Sequence, residues 1–513
     1  MTIARPALSA AVSLLVAPLL WTVPGAAASA GSCHRIRSDF NGDGYADLAA
    51  GAPWRQNQQV EAPAAGGVQV VYGSRAGFGR GPVPVQLFTH RSAGLPPSHL
   101  RATNQLGTAL ASGYFDDDCY ADLAAGTGAG EGNALILYGT PAGLTTQRAL
   151  VLDRTSAAGG LGGFGSALAA GDFDGDGRDD LAVANRGSQD GAGSVAVLRG
   201  TPAGITEDGV VWLSQDTPGV PGTSEYPDRF GSALAAGDFD GDHRADLAVG
   251  VPTETVGSRY EAGAVVLLRG SGAGLTGTGA QWWDQGVAGV PGTVEAWDQF
   301  GSTLAAGDLD SDGRLDLAIG TPAENGGAGA VYVLRGGPAG LTTVGAQTWH
   351  QDSAGVPGTA EGGDLFGRSA TFGDLNGDGF ADLAVGAPME AVGAVPVAGG
   401  VVVLYSDGRR LSSAGSVFVH QNARNVPGSN EPYDYFGQAL TALRHPVAGG
   451  RAQRYDALVI GAPWEAAPVH GEGAFTVLPG SRTGVGAVPG LFFTAGGAPE
   501  GHIEGAYLGA AFS

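Results

Sequence analysis

Short apolar runs alternate with acidic loops along most of the chain. In the clearest copy, the runs Ala167–Ala170 and Leu181–Ala184 flank a loop whose nine positions, 172 to 180, carry Asp at the first, third, fifth and ninth. The runs are short and bounded by Gly and Pro, which is typical of buried strands. The unit recurs, intact or altered, seven times. The pattern therefore predicts a repeat protein built from strand–loop–strand hairpins.

The acidic loop has the composition of a calcium site. Asp172, Asp174 and Asp176 alternate, so their carboxylates can converge in a tight turn. Gly177 stands where the loop reverses, and the ninth residue, Asp180, closes the site. Several hard oxygens in a flexible cage suit Ca²⁺, whereas Mg²⁺ prefers fewer protein ligands and octahedral geometry. Carboxylates this close repel one another unless a cation lies between them.

Four further loops repeat this register, which argues against the alternative of a plain Asp/Gly turn. An EF-hand would need Glu at position twelve and flanking helices, but position twelve lies in an apolar run in every copy. We therefore expect about five structural calcium sites, with the seventh position of each loop contributing a main-chain carbonyl. The expected ligands are Asp39, Asn41, Asp43, Tyr45 and Asp47; Asp172, Asp174, Asp176, Arg178 and Asp180; Asp238, Asp240, Asp242, Arg244 and Asp246; Asp308, Asp310, Asp312, Arg314 and Asp316; and Asp374, Asn376, Asp378, Phe380 and Asp382.

Three loops depart from the pattern. In the second unit Tyr114 replaces the first Asp and Cys119 replaces the turn Gly, which leaves calcium binding there open. In the seventh unit, residues 443–456 have lost the alternating Asp, so we expect no ion. The fourth unit has His243 at the turn position, which we expect to strain the loop and weaken its site.

Each unit holds enough sequence for four strands. A Phe-Gly or Leu-Gly pair such as Phe164–Gly165 opens the unit, and a Gly-x-Pro turn such as Gly250–Pro252 follows the acidic loop. A third strand, for example Gly263–Arg269, and a fourth that ends near Trp283 complete it. Four strands in about 60 to 70 residues, repeated, predict the blades of a β-propeller. The C-terminal stretch Leu508–Ser513 is predicted to supply the first strand of blade 1 and to close the ring.

The pairing of Phe-Gly, the Asp-rich loop and Gly-Ala-Pro in one unit resembles the FG-GAP repeats of the integrin α-subunit head, over essentially all of residues 31–513. The resemblance implies an all-β fold, a seven-bladed β-propeller with calcium between the first and second strands of its blades. It also implies that ligands bind on the opposite face. The chain is similar to the secreted bacterial type, and the lack of Lys beside abundant Ala, Gly and Pro favours a GC-rich bacterial genome.

Residues 1–30 have the pattern of a secretory signal peptide, with an apolar run Ala7–Leu20 followed by a small-residue cleavage site. We expect residues 31–513 to form one propeller domain without membrane insertion. In the oxidising context of secretion, Cys33 and Cys119 are predicted to form a disulfide, because both lie at neighbouring loops of one face. The alternative is two buried free thiols.

Charge and motifs limit the function classes. The formal net charge of −23 argues against nucleic acid and anionic membranes as partners. The sequence contains no Ser-His-Asp, HExxH or phosphate-loop pattern. We therefore interpret the chain as a secreted, extracellular and monomeric binding or adhesion module for a glycan or protein ligand, free or associated with the cell wall. The alternative is an extracellular hydrolase or lyase, polysaccharide-active or of a phospholipase D-associated type, with its site opposite the calcium loops.

A second repeated phrase lies between the units, with Glu225 and Asp228 in one copy and a Glu such as Glu254 after the Gly-x-Pro turns. Identical residues in each blade favour contacts between blades over a ligand-binding rim. Ligand choice is therefore expected from segments that do not repeat, namely Trp54–Pro63, His90–Gln105, Arg259–Glu261 and Trp464–His470. Their aromatic residues Trp54, Tyr260 and Trp464 are candidates for stacking on sugar rings, the alternative being blade packing.

Overall fold

The computed structural model describes residues 36–54, 66–95, 105–128, 130, 132–153, 162–188, 191–444, 455–466, 472–495 and 507–513. All of them belong to one compact unit, residues 35–513. The predicted signal peptide and Cys33 lie outside the described residues. So do parts of the predicted ligand segments 54–63, 90–105 and 464–470.

Strands dominate the described residues, and their bounds follow the predicted hairpins. The first fifteen are β1 (Leu48–Gly51), β2 (Gly67–Val71), β3 (Val85–Thr89), β4 (Leu106–Gly113), β5 (Asp122–Thr127), β6 (Asn133–Tyr138), β7 (Thr145–Asp153), β8 (Phe164–Gly171), β9 (Asp180–Asn185), β10 (Ser194–Thr201), β11 (Gly204–Leu213), β12 (Leu234–Gly237), β13 (Asp246–Val251), β14 (Ala264–Arg269) and β15 (Thr276–Trp283). The others are β16 (Thr303–Gly307), β17 (Asp316–Thr321), β18 (Ala330–Gly337), β19 (Gly340–Trp349), β20 (Ser369–Gly373), β21 (Asp382–Ala387), β22 (Gly400–Ser406), β23 (Leu411–Val419), β24 (Leu440–Arg444), β25 (Asp456–Ala462), β26 (Ala474–Pro479), β27 (Leu491–Thr494) and β28 (Ala511–Phe512). One short helical turn, α1 (Glu324–Gly327), follows β17. Within the described ranges, no helix combines the length and the apolar character that crossing a bilayer requires.

These strands form seven four-stranded antiparallel sheets, which are the blades of a ring. Blade 1 has the order β28-β1-β2-β3, and blades 2 to 7 each use four consecutive strands, from β4–β7 to β24–β27. Neighbouring sheets pack face to face around the ring, and the last blade packs against the first. This confirms the predicted all-β, seven-bladed β-propeller.

The C-terminal strand β28 closes the ring, as predicted. Phe512 pairs with Ala50, and Ala511 pairs with Gly51. The Ala49 N–H donates to the Ser513 carbonyl at 3.0 Å, and the Ser513 N–H donates back to the Ala49 carbonyl at 3.1 Å. The two ends of the propeller therefore share one blade, and the inner edge of β1 is paired.

The apolar core consists of seven clusters, each shared by two neighbouring blades. The second strands of the blades, such as β9 and β17, are buried at every residue because neighbouring sheets cover both of their faces. Phe173, the second residue of its acidic loop, is buried in the cluster between blades 3 and 4. Phe173 therefore packs in the core, while Asp172 and Asp174 on either side of it belong to the acidic loop.

The repeated glycines lie where two blades touch through their backbones. A Cβ on Gly250 would lie 2.1 Å from the Gly301 carbonyl oxygen, and a Cβ on Gly320 would lie 2.1 Å from that of Gly367. The first glycine of each pair belongs to a Gly-x-Pro turn, and the second belongs to the Phe-Gly pair of the next blade. Only a residue without a side chain permits this approach, which explains why both glycines recur.

The antiparallel order gives each blade two different ends. The acidic loop between the first and second strands emerges at the same end as the turn between the third and fourth strands, and we name this end the Asp face. The opposite end carries the loops from second to third strand and from one blade to the next, and we name it the variable face. In blades 4 to 7 the first strand begins a few residues after the Phe-Gly pair, and the Phe forms a separate parallel bridge, as Phe230 does with Gly193.

Candidate metal centres and the opposite face

The blade 3 loop, residues 172–180, shows how the acidic side chains are held. Asp172 Oδ1 accepts hydrogen bonds from the Gly175 N–H (2.7 Å) and the Asp176 N–H (3.0 Å). Its Oδ2 accepts a hydrogen bond from the Gly177 N–H at 2.9 Å. The loop backbone therefore winds around the first carboxylate and fixes its position.

The ninth carboxylate ties each loop to the third strand of its blade. Asp180 Oδ1 accepts a hydrogen bond from the Gly200 N–H at 2.9 Å, and only 1% of Asp180 is exposed. Burial raises the pKa of Asp180 to about 7. A buried carboxylate needs a compensating charge to stay ionised, and a bound cation would supply it. The same bond joins Asp47 to Gly73, Asp246 to Gly270, Asp316 to Gly336 and Asp382 to Ser406.

The predicted side chains lie around a common point in their loops. Carboxylate oxygens of three Asp lie within 4.8 Å of one another in blades 3, 4 and 5, in the sets Asp172/Asp174/Asp176, Asp238/Asp240/Asp242 and Asp308/Asp310/Asp316. The loops of blades 1 and 6 make the same turn. There the Gly44 N–H donates to Asp39 Oδ2 at 2.9 Å, and the Gly379 N–H donates to Asp374 Oδ2 at 3.1 Å. That these residues bind calcium stays a prediction.

The donor set fits a calcium ion. Two buried carboxylate oxygens at these loops, Asp246 Oδ2 and Asp310 Oδ1, accept no hydrogen bond among the described residues. Asp246 is 1% exposed, and the nearest cationic atom, Arg269 Nη1, lies 3.3 Å from its Oδ2. Such oxygens, grouped in a loop of several carboxylates, are the ligands that Ca²⁺ prefers. The predicted main-chain carbonyl ligands at Tyr45, Arg178, Arg244, Arg314 and Phe380 also stay predictions.

The blade 2 loop differs from the others at the two positions that the sequence singled out. The Tyr114 hydroxyl donates to the Ile36 carbonyl at 2.6 Å and so takes part in a contact with blade 1. Cys119 adopts a left-handed conformation with φ 70° and is disulfide-bonded. Cys33, its predicted partner, lies outside the described residues, so this pairing stays a prediction.

Blades 4 and 7 show two other departures. His243 has φ 69°, a conformation that is unfavourable for a residue with a side chain, and its ring is 96% exposed. Its N–H nevertheless donates to Asp238 Oδ2 at 2.9 Å, so the turn is retained. In blade 7, residues 445–454 lie outside the described residues. Asp456 Oδ2 accepts a hydrogen bond from the Asp374 N–H at 2.9 Å, so this carboxylate holds blade 6 to blade 7.

The family model for the FG-GAP repeat matches residues 38–71, 164–198, 230–268, 300–334 and 366–404. These ranges contain the five complete acidic loops and the strands that follow them in blades 1, 3, 4, 5 and 6. The chain is an FG-GAP β-propeller. The repeats of blades 2 and 7, where the loop is altered, lie outside the matched ranges.

Curated relatives include integrin α-subunits. This FG-GAP propeller is 33% identical to integrin alpha-PS5 of Drosophila melanogaster over 161 residues, which is 31% of the chain and 15% of the relative. It is 31% identical to integrin alpha pat-2 of Caenorhabditis briggsae over 245 residues, 44% of the chain and 18% of the relative. It is 29% identical to phosphatidylinositol-glycan-specific phospholipase D of Rattus norvegicus over 219 residues, 41% of the chain and 24% of the relative. Each match spans less than a quarter of the relative.

On the variable face, the FG-GAP propeller uses its repeated Gln and Glu residues to join blades. Gln215 Nε2 of blade 3 donates to Glu254 Oε2 of blade 4 at 2.7 Å, and Gln285 Nε2 of blade 4 donates to Glu324 Oε2 of blade 5 at 2.7 Å. All of these side chains are buried. The pairs Gln351–Glu390 and Gln421–Glu465 repeat the contact. These bonds support the interpretation of the Glu after the Gly-x-Pro turn as a contact between blades, whereas Glu225 donates its N–H to Asp228 within its own loop.

Two exposed and two half-buried aromatic side chains gather where the ring closes. The ring centroid of Tyr507 lies 4.4 Å from that of Trp464 and 6.4 Å from that of Trp54. Tyr435 lies 6.0 Å from Trp464 on the other side. Trp54 is 45% exposed and Trp464 is 41% exposed. We name these four residues the aromatic patch. The sequence pointed to the two Trp but missed the two Tyr, which stand directly before a Phe-Gly or Leu-Gly pair.

A second aromatic pair lies between blades 4 and 5 on the same face. Tyr260, the third aromatic residue predicted from the sequence, contacts Trp297 with 4.8 Å between ring centroids. Both remain largely exposed, at 43% and 56%. The sequence therefore identified one member of this pair, while Trp297 replaces the smaller residues of other repeats.

The variable face also has a polar cavity of about 470 Å³ that was not predicted from the sequence. It is lined by Arg186, Arg229, Tyr226 and several glycines of blades 2 and 3, and we name it the arginine pocket. Burial and the neighbouring Arg229 guanidinium lower the pKa of Arg186. Neither guanidinium forms an ion pair with a described carboxylate. The signal was available, because Arg186 stands where most blades have the Pro of the Gly-x-Pro turn.

Proposed function

We propose that this FG-GAP propeller is a secreted, extracellular binding or adhesion module that calcium stabilises on the Asp face and that takes a glycan or protein ligand on the variable face. The observation that carries the proposal is the position of the residues that break the repeat. The exposed members of the aromatic patch and the arginine pocket both lie on the variable face, away from the acidic loops.

Calcium has a structural role in this proposal. About five ions would bind through the predicted side chains and one main-chain carbonyl of each complete loop. The ion supplies positive charge between clustered carboxylates, which removes their mutual repulsion and holds the hairpin closed. Extracellular calcium modules bind at about 10⁻⁴ to 10⁻³ M, which suits a site that stays loaded outside the cell.

The aromatic patch suits a ligand with flat apolar faces, such as a sugar ring. Trp and Tyr offer large rigid surfaces whose polar ends remain in water. Contiguous exposed apolar surface on a soluble protein marks an interaction site. The patch lies across the junction of blades 7 and 1, where Tyr507 stands between Trp54 and Trp464. The arginine pocket adds a site for an acidic group, because guanidinium recognises carboxylate through paired hydrogen bonds.

A second candidate is an extracellular hydrolase or lyase. Oxygens of Glu361, Asp364 and Glu390 lie within 4.8 Å of one another on the variable face, and burial raises the pKa of Glu390 to about 7. Such a pKa would suit a general acid. However, Glu390 is only 6% exposed, and its Oε2 accepts a hydrogen bond from Gln351 Nε2, as at the other blade junctions. This arrangement supports blade packing more than catalysis.

Retention on a panel of glycans and cell-wall polysaccharides, in calcium and with an assay for released products, tests the proposal. We expect residues 31–513 to be retained without products. The double variant Trp54→Ala/Trp464→Ala should lose retention on a neutral glycan, and Arg186→Ala/Arg229→Ala should lose it on an acidic one. Val344→Ala, a 79% exposed apolar residue on β19, is the control. Released products would favour the enzyme, and no retention on any glycan would favour a protein ligand.

A further inference from the structure

Three arginines of the third strands reach into the acidic loops of their own blades. Arg335 forms an ion pair with Asp310, and its Nε lies 3.1 Å from Asp316 Oδ1. Arg269 forms the equivalent pair with Asp240. In blade 3, Arg199 Nη1 lies 3.7 Å from Asp174 Oδ2. In each case the arginine faces the Asp at the third position of the loop.

The same third-strand position carries Tyr72 in blade 1 and Tyr405 in blade 6. The alignment is structural, since the following residue in each blade donates its N–H to the ninth Asp. The hydroxyl groups of these tyrosines bond outside the acidic loops. The Tyr72 hydroxyl accepts a hydrogen bond from the Leu144 N–H (2.8 Å), and the Tyr405 hydroxyl accepts one from the Val485 N–H (3.2 Å). Both partners belong to the next blade.

The residue at the third loop position changes together with the third-strand residue. Among the five complete loops, those with a tyrosine have an amide there, Asn41 or Asn376, and those with an arginine have Asp. The altered blade 2 loop is different, because it combines Tyr138 at the third-strand position with Asp116. At these two positions, an Asp with an Arg and an Asn with a Tyr both sum to a formal charge of zero. The two combinations therefore differ in residue type but not in the formal charge of this pair of positions.

We infer that Arg199, Arg269 and Arg335 are positioning residues for the calcium ions of their own loops. Each lies against one oxygen of the third-position Asp and cancels the negative charge that this Asp carries and Asn lacks. This inference rests on the proposed calcium binding. It adds a group outside the ligand set that sets the orientation and charge of a ligand, as partners of metal ligands commonly do.

The two carboxylate oxygens of Asp310 have different surroundings. Its Oδ2 pairs with Arg335, while its Oδ1 is buried and accepts no hydrogen bond among the described residues. One oxygen is therefore neutralised by the guanidinium, and the other remains for an ion. Arg335 itself is fixed from the next blade, because its Nη1 donates to the Arg409 carbonyl at 2.7 Å. Arg199 makes the same kind of bond to the Ala273 carbonyl at 2.8 Å.

Blade 2 uses an arginine from a different strand. Arg148 of β7 lies 2.8 Å from Asp116 Oδ2 and 3.6 Å from Asp118 Oδ2, and its guanidinium stacks over Tyr138 at 4.5 Å. One guanidinium therefore lies against two of the three Asp that occupy ligand positions in this loop. Its first ligand position is occupied by Tyr114 instead of a carboxylate. We therefore expect Arg148 to hold this loop without calcium.

An exchange between blades 5 and 6 tests the inference. In the full chain, Asp310→Asn alone leaves Arg335 facing the site without its carboxylate, and we expect the loss of about one bound ion per chain. Asp310→Asn with Arg335→Tyr copies the pairing of Asn376 with Tyr405, and we expect the ion to return. Equilibrium dialysis at a fixed free calcium concentration counts the ions. A double variant that binds no more calcium than Asp310→Asn would overturn the inference.

Controls separate this outcome from other failures. Arg410→Tyr removes an arginine that is 73% exposed and 4.0 Å from Asp407, and it should leave the ion count unchanged. If the blade 5 variants do not fold, the reverse exchange applies: Tyr405→Arg alone should lose an ion, and Asn376→Asp should restore it. A wild-type chain that binds no calcium would refute the proposed metal sites as well. A wild type with about five ions and a failed exchange would refute only the role of the arginines.

Discussion

The loops of the Asp face repeat almost residue by residue, whereas the loops of the variable face share a frame and differ where they are exposed. On the Asp face, the first and ninth carboxylates make the same backbone hydrogen bonds in blade after blade. On the variable face, the Gln–Glu bonds repeat, but the exposed residues differ from blade to blade. Blade 3 has Arg186, blade 1 has Trp54 and blade 7 has Trp464. The repeated positions therefore carry geometry, and the unrepeated ones carry the candidate ligand chemistry.

This difference has a physical basis. A residue that must occupy the same place in every blade is under the same steric and electrostatic demand each time. Exposed residues at the loop tips make few packing contacts and few buried hydrogen bonds. A substitution there usually changes the free energy of unfolding little, so these residues can differ from blade to blade. The comparison therefore predicts that substitutions at repeated positions mainly change the stability of the fold, whereas substitutions at exposed, unrepeated positions mainly change ligand binding.

Calcium removal should give the largest effect on stability. At tenfold excess over the dissociation constant, each site adds about 1.4 kcal/mol, so five independent sites would add about 7 kcal/mol to the free energy of unfolding. We expect EGTA to lower the melting temperature sharply and added Ca²⁺ to restore it, with Mg²⁺ a poorer substitute. An unchanged melt in EGTA would remove the structural role of the Asp face.

Gly320→Ala should destabilise the fold by about 3 kcal/mol, because the new Cβ would meet backbone that cannot move aside. The Cβ would lie 2.1 Å from the Gly367 carbonyl oxygen and 2.9 Å from the Thr303 Cβ. Gly272→Ala is the matched control, since nothing lies within 4 Å of its Cβ. Denaturant unfolding in saturating calcium measures both. Equal midpoints for the two variants would show that the repeated glycines do not mark a tight contact.

The frame of the variable face should respond to pH. Burial raises the pKa of Glu254 to about 7 from an ordinary 4.5, so the folded state binds this proton more tightly than the unfolded state does. The resulting stabilisation is complete below about pH 4.5 and is lost as pH rises through about 7. Glu254→Gln keeps the acceptor without the charge. We expect it to be more stable than wild type by about 1 kcal/mol at pH 8 and equal to it near pH 5.

Thermal melts of the two proteins at both pH values, in the presence of EGTA, test this expectation without interference from calcium release. Glu207→Gln changes an exposed glutamate of β11 and serves as the control, with no difference expected at either pH. A Glu254→Gln effect that is the same at pH 5 and pH 8 would contradict the origin in a buried charge.

The smallest effect on stability should come from the aromatic patch. Trp54→Ala and Trp464→Ala remove side chains that are 45% and 41% exposed, so we expect melting temperatures close to that of wild type while ligand retention is lost. Circular dichroism melts beside the retention assay measure the two properties separately. A large loss of stability would show that these residues pack the blades, which is the alternative that the sequence left open.

Much of the fold could be predicted because its signals are local. The Asp residues of one acidic loop lie within nine positions, and the strands on either side are short apolar runs. The Gly of the Phe-Gly or Leu-Gly pair recurs in each repeat, at intervals of 58 to 72 residues. Even the closing strand β28 was recognisable, since Leu508–Ser513 resembles the first strand of other blades. The residues that form one loop or one hairpin lie close together in the sequence, and their pattern recurs once per blade.

The residues that the sequence missed depend on contacts between distant segments. Tyr507 and Trp54 come from opposite ends of the chain and meet only because β28 pairs with β1. Arg186 and Arg229 belong to different loops that the junction of blades 3 and 4 brings to one cavity. Single-residue departures from a repeat are visible in the sequence, but their grouping is not.

The sequence by itself determined the blade, its acidic loop and the number of repeats, because hydrophobic period, carboxylate spacing and glycine contacts act within one unit. Only the tertiary structure decided which departures from the repeat become neighbours, and which arginine faces which carboxylate. Those pairings depend on the packing of one blade against the next and on the closure of the ring, and both are properties of the assembled chain rather than of any one repeat.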